Sequence, residues 1–291
     1  MAHDLIAITG ASGGLGGRVA QRLARQGVAQ RLIARDPADV EQHDGADVVQ
    51  VAGYRDGESM RRAFEGAGTL LLVSAEESDD RSRVHRTAID AATAAGVERI
   101  VYTSFLGAAE DSTFTFARDH FHAEAYIRSA GVDFTFVRDS LYVDFLPLLC
   151  GPDGVIRGPA AEGRFAPVAR DDVADALAVV LTGDDHAGRT YTLTGPDLLT
   201  MSDVAAELSR ATRRQIRFED ETIEEAWESR RPSEAPDWEI EGWISTYTAI
   251  AAGELELVTE DVERLTGHGP VPVADWLRAN PESLRHLQHT S

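Results

Sequence analysis

The sequence predicts an α/β protein built on a doubly wound parallel sheet, with a smaller α+β lobe towards the C-terminus. Three observations carry this expectation. Short apolar runs alternate with amphipathic segments through the first 140 residues, and a glycine-rich turn joins the first run to the first helical segment. After Pro147 the rhythm gives way to glycine and proline, then to acidic, tryptophan-bearing segments. Strand–helix alternation of this kind implies right-handed crossovers and a parallel sheet covered on both faces.

The apolar runs place strands at 5–9, 31–34, 47–51, 69–74, 99–104 and 133–137. Between the first two, Leu15, Val19 and Leu23 recur at the spacing of one buried helix face. Residues 80–95 repeat the pattern with Val84, Ala88, Ala91, Ala92 and Ala95, and Gly96 stops that helix. Gly151, Pro152, Gly154, Gly158 and Pro159 mark an irregular excursion, followed by a helix at 171–182, a strand at 189–194 and a helix at 202–212. Segment 221–250, with three of the 4 tryptophans, reads as helices lying over the open end of the sheet. Residues 1–150 are thus expected to form the dinucleotide-binding core. Residues 151–291 are expected to complete that core and form the substrate-side lobe.

Bulk composition narrows the classes. The net charge of −21, from 49 acidic and 28 basic residues, repels phosphate backbones and anionic lipid, so neither nucleic acid nor membrane is an expected partner. No apolar run reaches the length of a membrane-spanning helix, and no export signal is read, so a cytoplasmic location is expected. The single Cys150 rules out an intramolecular disulfide and a cysteine metal cluster, and no metal is expected. All 28 basic residues are arginine. Chemistry that needs a lysine is therefore closed to this chain.

Thr9-Gly10-Ala11-Ser12-Gly13-Gly14-Leu15-Gly16 forms the glycine-rich turn. Gly10 permits a tight turn, Gly13 lets the backbone approach a pyrophosphate, and Gly16 lets the helix pack closely on the strand. The helix N-terminus, with Ser12, Gly14 and Leu15 leading into it, then offers N–H groups to the phosphates. This is the Rossmann arrangement. Nineteen residues beyond Gly16, Arg35 ends the second strand, beside Asp36 and Pro37. An acid there suits the ribose hydroxyls of NAD and an arginine suits the extra phosphate of NADP; Arg35 holds the strand-end position, so NADP(H) is the expected cofactor. Ser74 joins the cofactor set by its place at the end of the fourth strand.

These motifs resemble the atypical short-chain dehydrogenase/reductase family, in its NmrA-like branch. The likeness is carried by TGASGGLG at 9–16, ARDP at 34–37, AGVERIVYTS at 95–104 and HFHAEAYIRSAGVDFTFVRDSLY at 120–142. ARDDVADALAVVLTG at 169–183, GRTYTLTGP at 188–196 and ELVTEDVERLTGHGP at 256–270 extend it over nearly the whole chain. The branch contains bacterial NADPH:quinone oxidoreductases, which the chain resembles most, and NADP-binding sensors that regulate partners. Gly53 departs from the family, which often has an acid at that position.

The resemblance also implies where catalytic residues should fall. Ordinary members of the superfamily place a tyrosine acid and a lysine four residues apart on one helix face; here those positions are Phe116 and His120. His120, oriented by Glu124 one turn on, is expected to anchor the ribose or donate a proton, and Ser104 matches the superfamily serine. Tyr142, with Phe145, is expected to form an aromatic wall beside the nicotinamide. Without a tyrosine acid the site suits an acceptor that delocalises its new charge, so the expected reaction is hydride transfer from NADPH to an aromatic, quinone-like or conjugated carbonyl substrate. The alternative is a non-catalytic NADP(H) sensor acting through a protein partner; a sugar-nucleotide epimerase ranks last, because it needs the missing pair. A homodimer is the one self-assembly admitted.

Overall fold

The structure, a computed structural model, describes residues 5–288. Seven parallel strands form the main sheet: β1 (Ile6–Thr9), β2 (Gln30–Ala34), β3 (Ala46–Gln50), β4 (Thr69–Leu72), β5 (Arg99–Phe105), β6 (Asp133–Asp139) and β8 (Arg189–Leu193). Their spatial order is 3-2-1-4-5-6-8, so the winding reverses between β1 and β4. The doubly wound sheet expected from the sequence is present. Its central strands are buried apart from the first residues of β4 and β5, as Val/Ile/Leu-rich parallel strands are when helices cover both faces.

Helices α1 (Gly16–Arg25) and α5 (Arg170–Thr182) cover one face, where Val19, Leu23, Val173 and Leu177 pack with Ile8, Leu32 and Val101. Helices α2 (Gly57–Phe64), α3 (Arg81–Ala94) and α4 (Thr115–Ser129) cover the other, where Phe64, Ile89 and Ile127 meet Leu70, Tyr102 and Phe136. The four-residue spacing of Val19 and Leu23, and of Val84 and Ala88, does define buried faces.

Beyond residue 150 the chain divides its work. α5 and β8 complete the layers of the main sheet. The remainder builds a second apolar cluster, in which α6 (Met201–Thr212), α8 (Asp237–Ala251) and α10 (Val273–Ala279) pack on the start of α4. Helix α7 (Ile223–Arg230) joins α8 through Ala226, Ile240 and Ile244.

Two differences from the sequence reading have physical causes. The excursion after Pro147 is not wholly irregular: β7 (Val155–Gly158) pairs in parallel with β9 (Arg217–Asp220), Val155 opposite Arg217. Four-residue strands so far apart in sequence leave too little pattern to read. The fourth strand ends at Leu72 rather than at residue 74, because side chains take over its backbone hydrogen bonds from Val73 onward.

Candidate cofactor and active site

Where β1 and β4 part, their carboxyl ends leave a crevice, the place where doubly wound sheets bind ligands. The cleft there encloses about 570 Å³. The glycine loop, the ends of β2 and β3, and the segment after β4 line it. Of the expected cofactor residues, Gly10, Ser12, Gly13, Gly14, Leu15, Gly16, Arg35 and Ser74 all lie on its walls.

The loop fits a pyrophosphate for local reasons. Gly10 has φ +62°, a conformation that costs a glycine little. A Cβ on Gly16 would stand 2.3 Å from the Gly10 carbonyl oxygen, so α1 can approach β1 only without one. No side chain caps α1, whose N-cap is Leu15; the Gly17 N–H is taken by the Gly13 carbonyl, and Leu15 and Gly16 bring the helix N-terminus to the cleft wall. Arg18 donates to the carbonyl of Gly14, and Arg170 at the start of α5 also reaches that glycine, so two cations flank the loop.

Five side chains, two of them from α3, hold the far wall. Thr9 Oγ1 accepts from the Val73 N–H at 2.9 Å, and the Tyr54 hydroxyl donates to the Val73 carbonyl at 2.7 Å. The Ser74 N–H donates to Thr103 Oγ1 at 2.8 Å. The Ala75 N–H donates to His85 Nε2 at 2.9 Å, and Arg81 Nε donates to the Ala75 carbonyl at 2.9 Å. Because Nε2 accepts, His85 is neutral with its proton on Nδ1; burial, reinforced by the Arg81 charge, pushes its pKa down to about 3.

The residues on α4 stand elsewhere. His120 is 6% exposed, and its Nδ1 meets the Tyr102 hydroxyl at 3.0 Å in the core. It does not line the cleft. Burial holds its pKa well below the usual histidine value, so the ring is neutral. Glu124 does not orient it, contrary to the sequence expectation. Glu124 accepts from Ser104 Oγ at 2.6 Å and from Arg138 at 2.8 and 2.7 Å, with Arg128 at 3.0 Å. A carboxylate buried completely is drawn to guanidinium groups rather than to a neutral imidazole. Ser104 is spent on that network and is also absent from the cleft wall.

Residues 10–184 match the NAD(P)H-binding family. The chain belongs to that family. Quinone oxidoreductase 2 of Escherichia coli strain K12 is 30% identical over 290 residues, which cover 97% of this chain and 98% of the relative. The crystal structure of the E. coli quinone oxidoreductase complexed with NADPH superposes with a TM-score of 0.85 at 29% identity, over 94% of this chain and 99% of that one. A (4-alkanoyl-5-oxo-2,5-dihydrofuran-3-yl)methyl phosphate reductase of Streptomyces griseus is 32% identical, over 96% of this chain and 99% of the relative. NmrA, a negative transcriptional regulator solved with NADP, is 18% identical over 96% of this chain and 95% of that one, with a TM-score of 0.75. That likeness is one of fold.

Within this NAD(P)H-binding chain, Tyr142 takes part in a different contact from the one expected. Its hydroxyl donates to the Asp139 carboxyl, and its ring, 6.1 Å from that of Phe145, lies under the Arg170 guanidinium at 4.7 Å. Tyr142 and Phe145 do stand side by side, but neither lines the cleft. Burial raises Asp139 to about 7, against the pull of Arg170 and Arg81.

The sequence reading missed the cleft residues Tyr54, Glu76 and Glu77 and the supports Arg81 and His85. Tyr54 was within reach of it, since a tyrosine just past a strand end borders the crevice; the acids resembled any solvated pair. The walls of the cleft push the Glu77 carboxyl up despite Arg81, with Glu239 of α8 and Asp119 of α4 adding to the rise. No helix among the described residues is long and apolar enough to cross a membrane.

Proposed function

We propose that the chain is a cytoplasmic NADPH-dependent oxidoreductase that reduces a quinone or a similarly conjugated carbonyl. One observation carries the choice of acceptor: the positions where the superfamily keeps its proton-donating pair hold Phe116, sealed in the core, and a neutral His120 engaged by Tyr102. An isolated ketone reduced by hydride becomes an alkoxide that needs a proton at once. A quinone becomes a delocalised hydroquinone anion that water protonates afterwards, so no positioned acid is needed.

Bound NADPH supplies the hydride; everything else falls to the chain. The N-terminal end of α1 receives the pyrophosphate, with Arg18 and Arg170, both paired to Asp144, beside the loop. Arg35, with its guanidinium in the cleft, receives the 2′-phosphate. The braced segment Val73–Ala75 forms the wall beneath the cofactor. The relationship to quinone oxidoreductase 2 over nearly the whole length of both chains supports this reading over a sensor role.

The test is NADPH oxidation with a benzoquinone, a naphthoquinone and cyclohexanone. Turnover of the quinones with none of cyclohexanone is expected. Rapid cyclohexanone reduction would mean that a proton donor serves the site. Tight NADPH binding without turnover on any acceptor would favour the sensor.

A further inference from the structure

Arg35 is not free in the cleft. Its Nη2 and Nη1 donate to the two carboxylate oxygens of Glu76, at 3.0 and 3.3 Å. Both residues line the cleft, and their side chains are 69% and 80% exposed. Among the described residues no other carboxylate lies within salt-bridge distance of Arg35. Glu76 therefore occupies the end-on edge of the guanidinium, one of the two edges by which a phosphate can grip it in two-pronged fashion.

We infer that Glu76 is a specificity-determining residue that competes with the 2′-phosphate for Arg35 and so narrows the preference for NADPH over NADH. The inference rests on the reading of Arg35 as the 2′-phosphate ligand. Two effects act together. An incoming phosphate must take the guanidinium from the carboxylate, which is cheap for so exposed a pair. It must then remain beside a displaced negative charge, and water and salt screen that repulsion only in part. NADH brings no phosphate and meets neither obstacle. Its ribose hydroxyls are hydrogen-bond donors that a nearby carboxylate accepts. The backbone leading into Glu76 is held, because the Ala75 N–H and carbonyl are bound by His85 and Arg81, so the displaced carboxylate stays within side-chain reach of Arg35.

The experiment measures Kd for NADPH and NADH with the wild type, Glu76→Gln, Arg35→Ala and the double variant, at low and high salt. Both sites are exposed, so the variants should fold. Glu76→Gln should tighten NADPH by about three- to thirtyfold at low salt and less at high salt, the scale of a screened charge pair, and should not tighten NADH. In the Arg35→Ala background the same change should alter the NADPH-to-NADH ratio less than it does in the wild-type background, because the competition for the guanidinium is already gone. If Arg35→Ala lowers that ratio while Glu76→Gln leaves it unchanged, the role of Glu76 is overturned and that of Arg35 stands. If Arg35→Ala leaves the ratio unchanged, the 2′-phosphate reading itself has failed, and the inference with it.

Discussion

The ring of Phe116 abuts the backbone of Gly242, so closely that a Cβ at Gly242 would lie 2.2 Å from Phe116 Cζ. Trp238, in the first turn of α8, closes over the same ring at 6.2 Å between centroids. The position where the superfamily carries its acid is thus the seat on which the C-terminal lobe rests.

Phe116→Tyr is therefore expected to weaken the protein rather than restore an acid. The added hydroxyl would point from Cζ into α8, overpacked and short of partners, at a cost of roughly 1–3 kcal/mol. Urea denaturation checks the loss, and cyclohexanone reduction should stay absent. A variant as stable as the wild type that reduced ketones would show that α8 lifts away to expose this position.

Gly16→Ala should abolish NADPH binding, because its Cβ meets the Gly10 carbonyl oxygen at 2.3 Å and α1 must shift to make room. Gly13→Val is gentler within the protein, where its Cβ finds that oxygen at 3.1 Å, so it should stay cooperatively folded while losing the cofactor to a clash with the pyrophosphate. Calorimetric titration and thermal melts separate the two outcomes. Normal NADPH binding by Gly13→Val would place the phosphates elsewhere.

His120→Ala is expected to cost roughly 1–3 kcal/mol of stability, because it leaves the Tyr102 hydroxyl buried without its partner. A ribose anchor or proton donor, the role the sequence suggests for His120, would instead lose turnover with little effect on stability. Unfolding midpoints, with kcat corrected to the folded fraction, compare the two. A stable variant whose corrected kcat falls at least tenfold would return His120 to the reacting centre.

The pH dependence of stability should carry two opposed signatures. Asp139 ionises near 7 in the folded chain and near 4 when unfolded, so the folded state holds its proton more tightly. The resulting stabilisation is complete at acid pH, declines between about 4 and 7, and is gone above that range. His85 behaves in reverse: its pKa of about 3 lies below the unfolded 6.5, so stability is full above about 6.5 and declines as the pH falls towards 3. The melting temperature of Asp139→Asn, minus that of the wild type, should rise from pH 4 to 7 and then level off. A difference independent of pH would remove Asp139 from this account.

What the sequence disclosed follows from the range of the interactions involved. The glycine loop and Arg35 were legible because their spacing is fixed by one strand, one turn and one helix. The stacking of Phe116, His120 and Glu124 on one face of α4 was legible too, since helical periodicity alone sets it. What each of them touches was not. His120 meets Tyr102 of β5, and Glu124 meets Arg138 of β6, because of how deep α4 sits on the sheet, and no local pattern records depth. The pairing of Arg35 with Glu76 joins two strand ends that are neighbours only once β1 lies between β2 and β4.

The five side chains that hold Val73, Ser74 and Ala75 bear on how the protein can change over generations. Thr9, Tyr54, Arg81, His85 and Thr103 bind main-chain atoms, so the wall keeps its course whatever side chains the wall itself carries. Positions 76 and 77 follow at once on this anchored stretch and line the cleft. Exchanges there alter what the cleft prefers while leaving the framework intact. If Glu76 sets cofactor preference as inferred above, cofactor choice and foldability rest on separate residues, and the first can drift without endangering the second.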